Sequence, residues 1–205
     1  DCQFIIISFS SSVSIYFGQS KSILNQSICF SGVRSLLTHE KKILENNKEN
    51  FLFHGNFTLA QSILSSIVLA SNTTNTSRAR ALGVAIECAT SIFHQSTQSC
   101  RAIIFTNGVP SVGPGALVQF ASAHHHHLVA NQHLIEESKR YYSQLARMAL
   151  ISKISIDFVG LGHESLQVAA LQSLIQKTYG VFILFPEWKE EKLVEQLTQQ
   201  LCEER

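Results

Sequence analysis

Proline is scarce in this 205-residue chain, with three in all, and tryptophan and methionine occur once each. Charge is thin as well: 15% of residues are Asp, Glu, Lys or Arg, they are mixed along the chain, and the net charge is +1. No basic stripe exists to follow a phosphate backbone, which excludes a nucleic-acid binder. No apolar run approaches the ~18 residues of a spanning helix. The five cysteines, at positions 2, 29, 88, 100 and 202, are odd in number and far apart. A secreted disulfide framework is even and dense, and a zinc site needs clustered ligands, so these read as free thiols of a cytosolic protein. Sequons at Asn25, Asn56, Asn72 and Asn75 point the other way. A Ser/Thr/Asn-rich chain produces them by chance.

Chemical motifs are missing too. The glycines at 108, 113 and 115 do not form Gly-x-Gly-x-x-Gly, and no Lys-Ser or Lys-Thr pair follows them to complete a phosphate loop. Gly-x-Ser-x-Gly is absent, so an α/β-hydrolase nucleophile has no place to sit. Asp157 lies among strand residues, and His163 with Glu164 follows a strand end. A carboxylate and an imidazole there could exchange protons. With no nucleophile or metal site beside them, starting a helix is the better reading for that pair.

What the chain does have is 45% hydrophobic residues, enough for one sizeable core. It starts at Asp1 and enters a strand at once, as an internal fragment would. Residues 4–9 (FIIISF) are apolar throughout, which suits a strand covered on both faces. Residues 12–17 (SVSIYF) alternate, which suits an antiparallel edge strand reached by a tight hairpin. Residues 21–50 show little periodicity and predict a helix at best, then a mobile surface segment. Helical spacing of Leu59, Ile63, Ile67 and Ala70 predicts a helix over 58–70, and that of Leu82, Ala85, Ile86, Ala89 and Phe93 one over 78–93.

The rest alternates. Strands are predicted at 102–105, 153–159 and 181–185, and helices at 134–150, 165–179 and 189–203. Leu134, Tyr141, Leu145 and Met148 mark a buried stripe, with Glu136 and Arg140 paired opposite it. Gly180 stops one helix, and Leu193, Leu197 and Leu201 line the next. Alternating strands and helices imply parallel strands joined by right-handed crossovers. Trp188, after the last strand, reads as an anchor for the final helix.

The densest signal is RAIIFTNGVPSVGPG, residues 101–115. A short β-branched strand stops at Thr106-Asn107-Gly108, and Gly108, Pro110, Gly113, Pro114 and Gly115 then demand an irregular, shaped loop. Open α/β sheets present function at such carboxyl edges. The role of this loop is not given by its residues.

That segment, with ALGVAIECATSIF upstream and SKRYYSQLARMA, ISIDFVGLG and TYGVFILF downstream, resembles the trunk domain of the inner-shell, GTPase-activating subunit of the COPII vesicle coat. The resemblance reaches about residue 200, with a poorly matched stretch between Gly18 and Asn50. It implies a three-layer α/β fold of von Willebrand A type, with a mostly parallel sheet and an antiparallel edge hairpin. Residues 1–205 would be a single truncated trunk domain lacking its first, central strand. The strands at 4–9 and 102–105 would then stand roughly 10 Å apart, two strand spacings.

The resemblance also implies a non-enzymatic coat module in transport from endoplasmic reticulum to Golgi. The second inner-coat subunit, the coat small GTPase and outer-coat subunits would be its partners. The full protein would be cytoplasmic and peripheral to the endoplasmic reticulum membrane and its vesicles, and would stimulate GTP hydrolysis through an arginine outside this chain. It would add a zinc finger, a β-sandwich, a helical region and a gelsolin-like module.

A-type domains often hold a divalent cation through an Asp-x-Ser-x-Ser loop, a threonine and an aspartate. At the two positions that can be matched stand Leu82 and Asn107, so no metal, cofactor or catalytic residue is assigned. His124 to His127 form a consecutive run whose side chains point alternately apart, unlike tetrahedral zinc ligands. Two other classes stay open: a metal-dependent adhesion-type A domain and a nucleotide-dependent α/β enzyme. Each would need its own loop upstream of Asp1.

Overall fold

A computed structural model describes residues 3–19, 27–55, 57–71, 79–94, 96, 98–117, 119–120, 128–129, 132–162, 168–187 and 190–202. The strands are β1 (Gln3–Phe4), β2 (Ile7–Phe9), β3 (Ser12–Tyr16), β4 (Ser27–Ser31), β5 (Phe53–His54), β6 (Cys100–Thr106), β7 (Gln119–Phe120), β8 (Leu128–Val129), β9 (Ile154–Leu161) and β10 (Phe182–Phe185). The helices are α1 (Thr38–Asn46), α2 (Lys48–Phe51), α3 (Phe57–Ser71), α4 (Leu82–Ile92), α5 (Gln132–Ile151), α6 (Val168–Lys177) and α7 (Glu190–Cys202).

The parallel half of the sheet runs β10-β9-β6. β9 is its centre, pairing Ile103 with Asp157 on one side and Phe182 with Phe158 on the other. Its side chains sort by the strand's period of two. Ile154, Ile156 and Phe158 face a core shared with α4, α5 and α6. Val159 and Leu161 face the opposite way, with Ile103 and Ile183, toward Leu193 and Leu197 of α7. Helices on both faces of a parallel sheet make the three layers.

The antiparallel half runs β2-β3-β4. Val13 and Ile15 of β3 are fully buried among residues of α1, α2 and α4. Ile6 and Tyr16 pack with Ile63 and Ile67 of α3 on the other face. No ladder joins this half to the parallel one among the described residues. β2 and β6 belong to separate ladders, so the two strands are not hydrogen-bonded to each other. α4 connects the halves by packing: Leu82 and Ile86 belong to one core, and Val84, Ala85, Cys88 and Ile92 to the other.

Several expectations need correction. Residues 21–50 contain β4, α1 and the start of α2, and Phe30, Leu36 and Leu44 bring core side chains from that stretch. With β4 beside it, β3 is an inner strand and not an edge. Residues 4–9 divide into β1, which pairs with β5, and β2, which pairs with β3. The helix expected from residue 78 begins at Leu82, and every residue of α4 except Ala89 is buried, so it has no polar face.

The α5 stripe centres on Tyr142 and Ala146. Glu136 pairs with Lys139 at 2.9 Å and not with Arg140. At the end of α6 the left-handed residue is Tyr179 (φ 57°), and Gly180 follows it.

Candidate functional site

The loop edge after β6 is held from three sides. Within the loop, the Thr106 hydroxyl donates to the Gly108 carbonyl at 2.9 Å, and Leu117 N donates to the Pro110 carbonyl at 2.8 Å. Gly113 (φ 73°) and Gly115 (φ 78°) take the left-handed conformation that glycine adopts without strain. A side chain at Gly113 would also strike the Gly32 carbonyl, and one at Gly115 would meet the rings of Tyr141 and Tyr142. The density of glycine and proline therefore serves a tight, close-packed path. Gly108, Val109, Pro110 and Ser111 are buried, and Val109 and Leu117 pack with Ala170 of α6.

The second side is the segment before α4. Arg80 donates through Nε (3.1 Å) and Nη2 (2.9 Å) to Asn107 Oδ1. Its backbone exchanges hydrogen bonds with Ser111, N to Oγ at 3.1 Å and O from N at 3.1 Å. Arg80 is 8% exposed and Leu82 2%. These contacts bear on the two positions matched to metal ligands. The Asn107 carbonyl oxygen already accepts from a guanidinium, which repels a divalent cation, and Leu82 has no ligand atom. The residues do not fit a metal. Among the described residues, no three of His, Cys, Asp and Glu gather into a metal-binding group.

The third side is α5, whose Tyr141 and Tyr142 rings lie against Gly115. Buried Glu87 accepts from the Tyr141 hydroxyl (2.7 Å) through Oε1 and from Leu36 N (2.8 Å) through Oε2. Burial, then the charge of Glu87, pushes the Tyr141 hydroxyl far above its ordinary range. Burial alone does the same to Tyr142. Ser138 of α5 donates to the Ala116 carbonyl at 2.7 Å, pinning the end of the loop.

Asp157 belongs to a different place. It is 4% exposed in the middle of β9, where Oδ2 accepts from Arg101 Nε (2.5 Å) and Oδ1 from Val181 N (2.7 Å). One carboxylate thus ties β6, β9 and the entry to β10 together, and both its oxygens are occupied. Neither this pair nor Arg80–Asn107 could be read from sequence, because the partners lie far apart in the chain. Cys29, Cys88 and Cys100 are free thiols, and burial raises the Cys88 and Cys100 thiols above their usual range. His124 to His127, His163, Glu164 and Trp188 lie outside the described residues.

The model of the Sec23/Sec24 trunk domain family matches residues 2–204. The chain belongs to that family. Its fold is similar to the crystal structure of the human COPII-coat protein Sec24c, with a TM-score of 0.66 and 17% sequence identity. The match covers 97% of this chain and 26% of that one, so the chain spans about a quarter of the coat protein's length. No curated protein matches the sequence. The family takes in both Sec23 and Sec24, and membership is coarser than the resemblance to the activating subunit alone.

Proposed function

We propose that this chain is the protein-interaction trunk of a COPII inner-coat subunit, acting in transport from the endoplasmic reticulum. The observation that carries the reading is the family match along residues 2–204, over a fold with the trunk's layers. The loop edge is compatible with it. Asn107 and Ser111 are bonded to Arg80 just before α4, and Ser138 of α5 holds the Ala116 carbonyl, as a rigid surface for docking requires. By family resemblance, the partners are the second inner-coat subunit, the coat small GTPase and outer-coat subunits. Association with the membrane is peripheral, and among the described residues no helix is long and apolar enough to cross it.

If the whole protein is the activating subunit, the catalytic arginine lies outside this chain. Arg34 is bound to Glu40 at 2.8 Å, Arg80 to Asn107 and Arg101 to Asp157, which leaves, among the described residues, exposed Arg140 and Arg147 of α5 as the arginines that alanine changes must test first. An arginine finger must be free to reach the transferring phosphate, where it is worth roughly 10³ to 10⁵ in rate. The test uses the chain with purified COPII components. It should co-purify with the second inner-coat subunit and leave single-turnover GTP hydrolysis by the coat GTPase unchanged. Failure to associate with any inner-coat component would overturn the coat assignment. A tenfold acceleration abolished by one arginine-to-alanine change would place the activator here.

A further inference from the structure

On the outer side of the helical layer, α5 and α6 enclose an open groove of about 800 Å³. Four cations line it, Lys139, Arg140, Arg147 and Lys177, and no carboxylate does among the described residues. The sequence explains the one-sided charge. From Ser138 to the end of α5 there is no Asp or Glu, and α6 has no charged residue except Lys177. Opposite charges one turn apart would stabilise a solvated helix face, and after Glu137 α5 offers none to Arg147.

The cations are not equivalent. Lys139 is paired with Glu136 at 2.9 Å, and Lys177 donates to Ser143 Oγ at 2.8 Å across the groove. Arg140 and Arg147 have no partner among the described residues. Both are exposed and share one stripe of α5 with Gln144 between them. Seven residues of helix separate them by about 10.5 Å along the axis.

We propose that the groove between α5 and α6 is a docking site for an acidic peptide segment of a partner protein, held by Arg140 and Arg147. Guanidinium groups form two-pronged bonds with carboxylates, and unneutralised like charge in a concave site attracts the opposite sign. A peptide in the polyproline II conformation rises about 9 Å over three residues and returns to the same face, so acidic side chains at that spacing reach both arginines. Gln144, Gln172 and Gln176 supply amides for the peptide backbone. A lipid surface fits less well. The groove is concave, and its lining offers no exposed aromatic or large aliphatic side chain to insert among acyl chains. This inference is independent of the coat assignment.

The experiment is fluorescence anisotropy of the full chain with a labelled peptide of four Glu-Gly-Ser repeats, beside its Gln-Gly-Ser counterpart. Saturable binding of the glutamate peptide alone is expected, weakening several-fold between about 50 and about 300 mM salt. The double variant Arg140→Ala/Arg147→Ala should bind at least about tenfold more weakly. Both residues are exposed, and an unchanged melting temperature would verify the fold. Lys42→Ala/Lys192→Ala removes the same charge elsewhere and should stay within about twofold of the parent. Equal losses in the two double variants would overturn the proposal, as would no saturation or equal binding of the glutamine peptide. Sedimentation with phosphatidylserine vesicles that depends on Arg140 and Arg147, without peptide binding, would assign the groove to lipid instead.

Discussion

β9 and β6 are neighbours in one ladder, both rich in Ile, Phe and Val or Ala, yet water meets them differently. Six of the eight residues of β9 are buried, whereas only Thr106 of the seven in β6 is. β2, in the other half, is like β6: Ile7, Ser8 and Phe9 are all half-buried. β6 and β2 each lack a ladder partner on one side among the described residues, and both are more apolar than their exposure explains. Composition records the surroundings a strand is suited to, and exposure records those it has. Where the two disagree, an unpaired edge is left that can recruit another strand.

The sharpest way to break this comparison is to truncate one phenylalanine in each strand. Phe158 of β9 is 0% exposed and Phe105 of β6 is 46% exposed. Phe158→Ala removes a filled core position and should cost about 3–5 kcal/mol in denaturant unfolding. Phe105→Ala should cost about 1 kcal/mol or less and reduce self-association, followed by light scattering. Equal losses would mean that β6 is as enclosed as β9.

A second pair of changes tests the seam between the halves. Gly113, after β6, meets the carbonyl of Gly32, after β4. Gly113→Ala puts a side chain into that contact at positive φ and should cost about 1–3 kcal/mol. The Tyr141–Glu87–Leu36 bonds also cross the seam, from α5 through α4 to the segment before α1. Tyr141→Phe leaves a buried carboxylate one donor short, at about 1–2 kcal/mol. If unfolding of these variants splits into two transitions, the seam is what makes the halves cooperate.

Legibility in the sequence followed the same division. Residues 102–105 and 181–185 announce themselves as continuous apolar runs and 153–159 by its alternating Ile154, Ile156 and Phe158, and the structure moves their ends by no more than two residues. β4 was hidden because SICFS offers only Ile28 and Phe30 to its core, amid Ser- and Asn-rich neighbours. α1 was hidden because it buries Leu44 alone and is otherwise polar. Gly108, Pro110, Gly113, Pro114 and Gly115 were readable as a shaped loop, since their backbone preferences are local. What that loop touches was not, because Arg80, Gly32 and Tyr141 reach it from remote parts of the chain.

A smaller effect belongs to the antiparallel half. Arg34 holds the Glu40 carboxylate at 2.8 Å through both nitrogens, and Leu37 N donates to it at 2.7 Å at the start of α1. The Arg34 hydrogen bonds come first in lowering the Glu40 carboxyl, from an ordinary 4.5 to about 2. A lowered folded-state value gives stability that is complete above about 4.5 and lost as pH falls through about 2. Glu40→Gln should therefore flatten the acid limb of the stability profile in that window, measured by chemical denaturation at each pH. An unchanged acid limb would show that the pair is too solvated to matter.

The smallest expected effect is at Tyr142, where the comparison reduces to two adjacent hydroxyls. Tyr141 donates to a carboxylate; Tyr142 is 0% exposed and its hydroxyl has no hydrogen-bond partner among the described residues. It lies against Gly115 of the shaped loop, where even a methyl group would not fit. Burying a hydroxyl without a partner forfeits its solvation, so removing it should leave stability unchanged or raise it by about 1 kcal/mol or less. Tyr142→Phe keeps the ring and its packing against Leu145 and Phe158, so no cavity term enters. The measurement is equilibrium unfolding of Tyr142→Phe beside Tyr141→Phe. A loss at Tyr142 as large as that at Tyr141 would mean that its hydroxyl is satisfied in solution, by water held at the turn of Gly115. The loop would then owe its shape to solvent as well as to glycine.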